Sequence, residues 1–251
     1  MEYREKLANL SYSFSGNWHQ IRNALQKNEA VHDHRIREPY ITIADKDYPE
    51  SLRELRYPPF VLFYRGRKEL LKERCVTVVG SRELCAYGER MTRLSADYLK
   101  ENYVLVSGLA KGADSLVHSC ALQGGRTIGV IGSGLATVYP RSSAHLYARM
   151  QEEGLILSEY PAYVPVRRHH FPWRNRILAA LGEFIVVTQA GCKSGTMLTV
   201  NEALELGRDV FAFPYPFDAD EGLGCNQLIA EGAMIMYDIE QLRTTGSMIR
   251  R

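Results

Sequence analysis

Between residues 76 and 237, short runs of β-branched and apolar residues alternate with stretches whose apolar positions recur every three or four residues. The runs are uniformly apolar rather than alternating, as expected for strands buried on both faces, and the longer stretches read as amphipathic helices between them. Strands are predicted at 76–79, 103–107, 126–132, 155–158, 184–188, 210–213 and 234–237. Helices are predicted at 87–100, 112–123, 175–181, 196–206 and 225–231, with one more ending at 153 that Ser142 or Ser143 can cap. This alternation predicts an α/β fold, an extended Rossmann-like parallel sheet with helices on both faces. Ahead of it, residues 1–40 carry weaker helical hints, such as Ile21 and Leu25 on one face, and form a small N-terminal helical segment. Residues 41–70 gather Pro49, Pro58 and Pro59 around a short helix and an apolar strand at 60–64, a lead-in segment docked on the core. The Rossmann-like domain covers 71–245, and 246–251 is a tail.

Charge and cysteines narrow the picture. The formal net charge is only +2 over 251 residues, so any site for a polyanion has to be local. Five scattered cysteines without C-x-x-C spacing argue against a disulfide framework and a zinc site, and a reducing, cytoplasmic setting follows. The charged start MEYREK does not have the pattern of a signal peptide, and no apolar run approaches the roughly 20 residues that cross a bilayer.

Four predicted strands end in the same kind of residue: Gly80-Ser81-Arg82, the loop from Gly108 to Gly112 with Lys111 inside it, Gly132-Ser133-Gly134, and Lys193-Ser194-Gly195-Thr196. In a parallel sheet these loops lie along one edge, where glycines, hydroxyls and cations converge on a phosphate-binding surface. Neither a complete dinucleotide fingerprint nor a P-loop is present, so no cofactor is expected. Residues 161–182, PAYVPVRRHHFPWRNRILAALG, hold Arg167, Arg168, Arg174 and Arg176 and no acidic residue, with His169, His170, Phe171 and Trp173 between them. Cations interleaved with flat rings are the ingredients of a single-strand groove, and Pro161, Pro165 and Pro172 favour an extended, ordered path. Catalytic signals are weak, and the chain is not expected to be an enzyme. Ser107, Ser194 and His118 lack triad spacing; His118 reads as a core histidine, and Asp114 as a carboxylate serving the start of its helix. Asp218, Asp220 and Glu221 read as a solvated loop, His32, Asp33 and His34 as a polar turn, and no metal site is expected.

The runs YPESLRELRYPPFVLFYRG, VTVVGSR, VSGLAKGADSLVH, GVIGSGLATVYP, SEYP, HHFPWRNRILAAL, KSGTMLT, EALELGRDVFAFP and CNQLIAEGA together resemble the DNA-processing protein DprA (Smf) family. The resemblance covers about 40–237. It implies a single-stranded DNA binding protein that forms a homodimer, protects incoming DNA during natural transformation and helps load the RecA recombinase. It also implies that Arg82 and Lys111 contact phosphate, that Phe171 and Asn175 meet bases and backbone with Arg174 and Arg176 beside them, and that Ser194, Gly195 and Thr196 form an anion-binding turn. Together with Gly80, Ser81, Gly108, Gly112, Arg167 and Arg168, these make the expected DNA-binding set. One departure is FAFPYPFDADEGLGCN, where Tyr215 and an acidic insertion stand in place of the family's usual glycine after the proline. The alternative is a nucleotide-processing enzyme like the phosphoribohydrolases, whose glycine-rich turn GCKSGTMLTVNEAL faintly resembles, with Glu202 the nearest carboxylate.

Overall fold

A computed structural model describes residues 2–242, so the predicted tail lies outside the described residues. The helices are α1 (Tyr3–Ser13), α2 (Trp18–Gln26), α3 (Glu50–Arg53), α4 (Ala86–Leu99), α5 (Ala113–Ala121), α6 (Ala144–Glu153), α7 (His170–Leu181), α8 (Gly195–Glu205) and α9 (Leu223–Ala230). The strands are β1 (Tyr40–Thr42), β2 (Val61–Gly66), β3 (Cys75–Val79), β4 (Val104–Ser107), β5 (Arg126–Ile131), β6 (Leu155–Ser158), β7 (Phe184–Val187), β8 (Asp209–Ala212) and β9 (Met234–Ile235).

They form one sheet in the order β1-β2-β6-β5-β4-β3-β7-β8-β9. Every pairing from β6 through β9 is parallel, as the alternation predicts. The outer pair is not: β2 runs antiparallel to β6, with Phe63 opposite Ser158, and β1 antiparallel to β2. The sheet is therefore mixed, and the lead-in supplies its antiparallel edge. Val61, Leu62 and Phe63 mark β2 as a buried strand, but its partner β6 lies some ninety residues on, beyond the reach of a local pattern.

The sheet is buried on both faces, and residue alternation sorts the layers. Val76 and Val78 of β3 join Leu105, Phe184 and Phe211 against α4, α5 and α9. Val104, Val106, Ile128 and Val130 meet Ile177, Leu178 and Leu181 of α7 on the other side. Thr77 faces α7, and its hydroxyl donates to the Leu178 carbonyl at 2.7 Å, so a polar residue sits in the central strand without an orphaned group.

The chain steps outward from β3 through β4, β5 and β6, and α7 then carries it back to β7 on the far side of β3. This reversal of direction is a switch point, and it opens a crevice beyond the carboxyl end of β3. The helix that makes the return starts earlier than its pattern suggests. HFPWR is the first turn of α7, not part of an extended path, and Pro172 is accommodated because an N–H in the first turn has no intrahelical acceptor.

Candidate nucleic-acid interface

A cleft of ≈ 740 Å³ lies at this switch point, with walls from the loops after β3, β4, β5 and β7 and from the first turns of α7. Backbone contacts hold those loops together. The Ala113 N–H donates to the Ser81 carbonyl at 3.0 Å, and a side chain at Gly112 would start 2.4 Å from the same oxygen. Gly112 has φ +73° and Leu109 φ +55°, which turns the chain back and leaves Lys111 exposed on the crest. The Thr196 hydroxyl donates to the Gly80 carbonyl at 3.1 Å, and the Asn175 amide to the Gly195 carbonyl at 3.4 Å, which fastens the start of α8 to β3 and α7.

Gly80, Ser81, Arg82, Arg168, Phe171, Asn175, Ser194, Gly195 and Thr196 thus meet in one cleft, as the sequence predicts. Arg82 is exposed, its guanidinium lies 5.6 Å from the centre of the Phe171 ring, and it makes no ion pair among the described residues. On the opposite wall, the first N–H groups of α8 have no intrahelical acceptor. Among the described residues, the Ser194 Oγ is buried without a partner, and nothing lies within 4 Å of where a Gly195 side chain would begin. A cation over an aromatic face on one side and free helix donors on the other suit a chain of phosphates and bases. Lys111 and Arg167 are exposed but lie outside the lining, while the Ser81 hydroxyl is held in its own turn, donating to the Glu83 carbonyl at 2.8 Å.

Two of the four arginines of 161–182 are instead built into the fold, a correction to the expected interface. Arg176 is buried against Glu159, Nη2 to Oε1 2.6 Å, and donates to the carbonyls of Tyr57 at 2.9 Å and Trp173 at 2.7 Å. Arg174 reaches the cleft only as part of its floor. It donates to the carbonyls of Gly108 and Val130, at the ends of β4 and β5. A side chain at Gly108 would start 2.5 Å from Asp114 Oδ2 and 2.7 Å from Arg174 Nη2, so Gly108 serves to let this buried pair approach rather than to touch a ligand. Burial pushes the Asp114 carboxyl up and the Arg174 guanidinium down from their ordinary values, each opposed by the other's charge. The charge that the stretch presents at the surface is therefore halved, because Arg174 and Arg176 are buried and only Arg167 and Arg168 are exposed.

His118 is a core histidine. Its Nδ1 lies 2.7 Å from the Thr127 hydroxyl, which itself donates to the Leu105 carbonyl, so Nδ1 carries the proton. Burial, aided by the Arg174 charge, pulls its pKa down to about 3. Asp114 lies in the first turn of α5 as expected, but it caps no N–H of that helix; it accepts from the Ala110 N–H at 3.3 Å in the loop before it. Asp218, Asp220 and Glu221 are exposed, His34 pairs with the Ser13 hydroxyl, and Asp33 accepts from the Asn9 amide.

Residues 39–246 match the family model described as DNA recombination-mediator protein A. The chain belongs to that family. Protein Smf of Synechocystis is 40% identical over 228 residues, which is 88% of this chain and 57% of the relative's own length. The X-ray structure of DNA processing protein A (DprA) from Streptococcus pneumoniae superposes with a TM-score of 0.81 at 32% identity, covering 96% of this chain and 94% of that one. DNA processing protein A from Helicobacter pylori, whose structure is described for its single-stranded DNA binding mode, gives 0.76 at 29% identity, covering 83% and 95%.

Within this DNA recombination-mediator family fold, the cleft also has a wall that the sequence reading passed over. Tyr139 is 46% exposed, and its ring centre lies 5.7 Å from that of Phe171. It stands before a cis Pro140 in GVIGSGLATVYP, and an exposed tyrosine after a glycine-rich strand end was the available signal. Tyr215, the departure from the family pattern, is buried. Its hydroxyl donates to the Thr188 carbonyl at 2.8 Å and its ring fills the space above Gly222. The acidic insertion is a surface loop behind it.

Proposed function

We propose that this chain binds single-stranded DNA along the cleft at its strand ends, without chemistry on the DNA, and serves recombination in natural transformation. The observation that carries the reading is the pairing across one cleft of Arg82, without an ion pair among the described residues, over the Phe171 ring with the open turn of Ser194, Gly195 and Thr196. Family membership and the Helicobacter relative's single-stranded DNA binding mode support the same ligand. From kinship also come the finer parts of the proposal: protection of incoming strands, delivery to the RecA recombinase, a homodimer, and a cytoplasmic setting. No helix among the described residues is long and apolar enough to cross a membrane.

The phosphoribohydrolase-like alternative needs a carboxylate free to act on a sugar. Glu202, the carboxylate that this alternative points to, is not part of the cleft lining; of the two that are, Asp114 accepts from the Ala110 N–H and faces Arg174, and Glu83 stands exposed at the rim next to Arg82. The place of Glu202 outside the cleft favours binding, and Glu83→Gln separates the two readings: binding keeps or gains affinity, whereas any base release that depends on this carboxylate is lost. Fluorescence anisotropy with single-stranded and duplex oligonucleotides across a salt series tests the proposal. Tighter binding of the single strand is expected, weakening with salt by roughly 0.7 log units per log unit for each phosphate neutralised. Equal affinity for duplex, or binding indifferent to salt, rejects it. Release of free base from nucleotides would favour the alternative.

A further inference from the structure

A second aromatic and basic surface adjoins the cleft, built from the outer side of α7, from α2 and from the segment before β2. The first turn of α7 presents Phe171, Pro172 and Trp173 in succession, each about 100° further around the helix axis. Phe171 and Pro172 line the cleft, whereas Trp173 points away from it toward the N-terminal helices, where it is half-buried. There its ring lies 5.4 Å from the Tyr57 ring and 5.8 Å from that of His19 on α2, centre to centre. Tyr57 and His19 are themselves 5.5 Å apart, and Trp18 packs beneath them, its indole N–H donating to the Pro58 carbonyl at 2.8 Å. The buried Arg176 supports Trp173 from inside, 4.2 Å from the ring centre.

This shelf is flanked by cations. Arg22 lies over Trp18 and Arg56 over Tyr57, at 5.5 Å and 5.2 Å from the ring centres; both are exposed, and neither is in an ion pair among the described residues. The carboxylates close to it are engaged, Glu54 with Arg208 at 2.8 Å and Glu159 with Arg176. The polar tips are not: the Trp173 indole N–H, the Tyr57 hydroxyl and the His19 ring make no hydrogen bond among the described residues. A pure packing joint would bury these rings against apolar neighbours; here three rings keep free donors and two cations sit over the edges. Flat rings, free donors and unpaired arginines next to a phosphate-binding cleft are the features of a single-strand track.

We propose that a single strand leaving the cleft over Pro172 continues across Trp173, Tyr57 and His19, with Arg22 and Arg56 as phosphate contacts, so that the N-terminal helical segment is the second half of the DNA-binding surface. The inference rests on the cleft being the first half. Its test compares two oligothymidylates, one of about 6 nucleotides that the cleft alone accommodates and one of about 20 that reaches the shelf. The double variant Arg22→Ser/Arg56→Ser changes only exposed side chains. It is expected to bind the longer strand about tenfold more weakly, with a salt slope smaller by roughly 1.4 for two lost phosphate contacts, and to bind the short strand as the wild type does.

Tryptophan emission gives an independent readout, since Trp18 and Trp173 are the two tryptophans of the chain. In a Trp18→Phe background, the longer strand quenches Trp173 and the shorter does not. Equal affinities of variant and wild type for both lengths, equal losses on both, or an unquenched Trp173 would overturn the track. Failure of the wild type to bind even the short strand would instead overturn the cleft reading, and this extension with it.

Discussion

Arg176 offers the sharpest separation of fold from function, because its position in a basic motif suggests DNA contact while its surroundings give it a structural role. Its side chain and that of Glu159 are 3% and 6% exposed, and all three of its bonds go to protein oxygens. Replacing Arg176 with Met removes the cation and leaves Glu159 buried and charged; its Oε2 already has no partner among the described residues. Removing one member of a buried ion pair costs about 3–5 kcal/mol. In a chain of this size each kcal/mol lowers the melting temperature by about 2–4 °C, so a drop of roughly 6–20 °C is expected. The double variant Arg176→Met/Glu159→Gln leaves no buried charge at this site and should recover most of the loss. Circular dichroism melting curves measure the first effect, and anisotropy well below the melting point shows whether DNA affinity is kept. Arg176→Met that melts like the wild type but no longer binds would refute the argument.

The buried His118 makes stability depend on pH. Its folded pKa, about 3, lies below the ordinary 6.5, so protonation favours the unfolded chain; stability is complete above pH 6.5 and is lost as pH falls toward 3. Between pH 7 and 5 the loss from this residue is about 2 kcal/mol, and His118→Leu should remove that part of the acid sensitivity in denaturant titrations. If the variant keeps the whole of it, the assignment fails. Phe171→Ala should weaken single-strand binding by about 1–3 kcal/mol with little change in melting temperature; early melting with normal binding would make the ring a packing residue instead.

Much of this was readable in the residues. The strand and helix series from β3 to β9 follows from local apolar patterns, and the glycine-ended strands place their loops on one edge whatever the details of packing. What local patterns could not supply was pairing over distance. The antiparallel β2–β6 contact, the capture of Arg176 by Glu159 and the approach of Arg174 to Asp114 all join residues that only the folded chain brings together. For that reason the basic stretch looked twice as charged as the surface it makes. Pro172 hid the true start of α7, since proline reads as a helix breaker except in the first turn, where it stands.

The central claim, that the strand-end edge grips a phosphate chain through Arg82 and Lys111, is tested most directly by the salt dependence of single-strand binding in Arg82→Ala/Lys111→Ala. Both side chains are exposed and unpaired among the described residues, so the variant should melt as the wild type does. With two phosphate contacts gone, the slope of log K against log salt should shrink by roughly 1.4 and affinity at low salt should fall. An unchanged slope and affinity in a folded variant would place the DNA elsewhere and contradict the account.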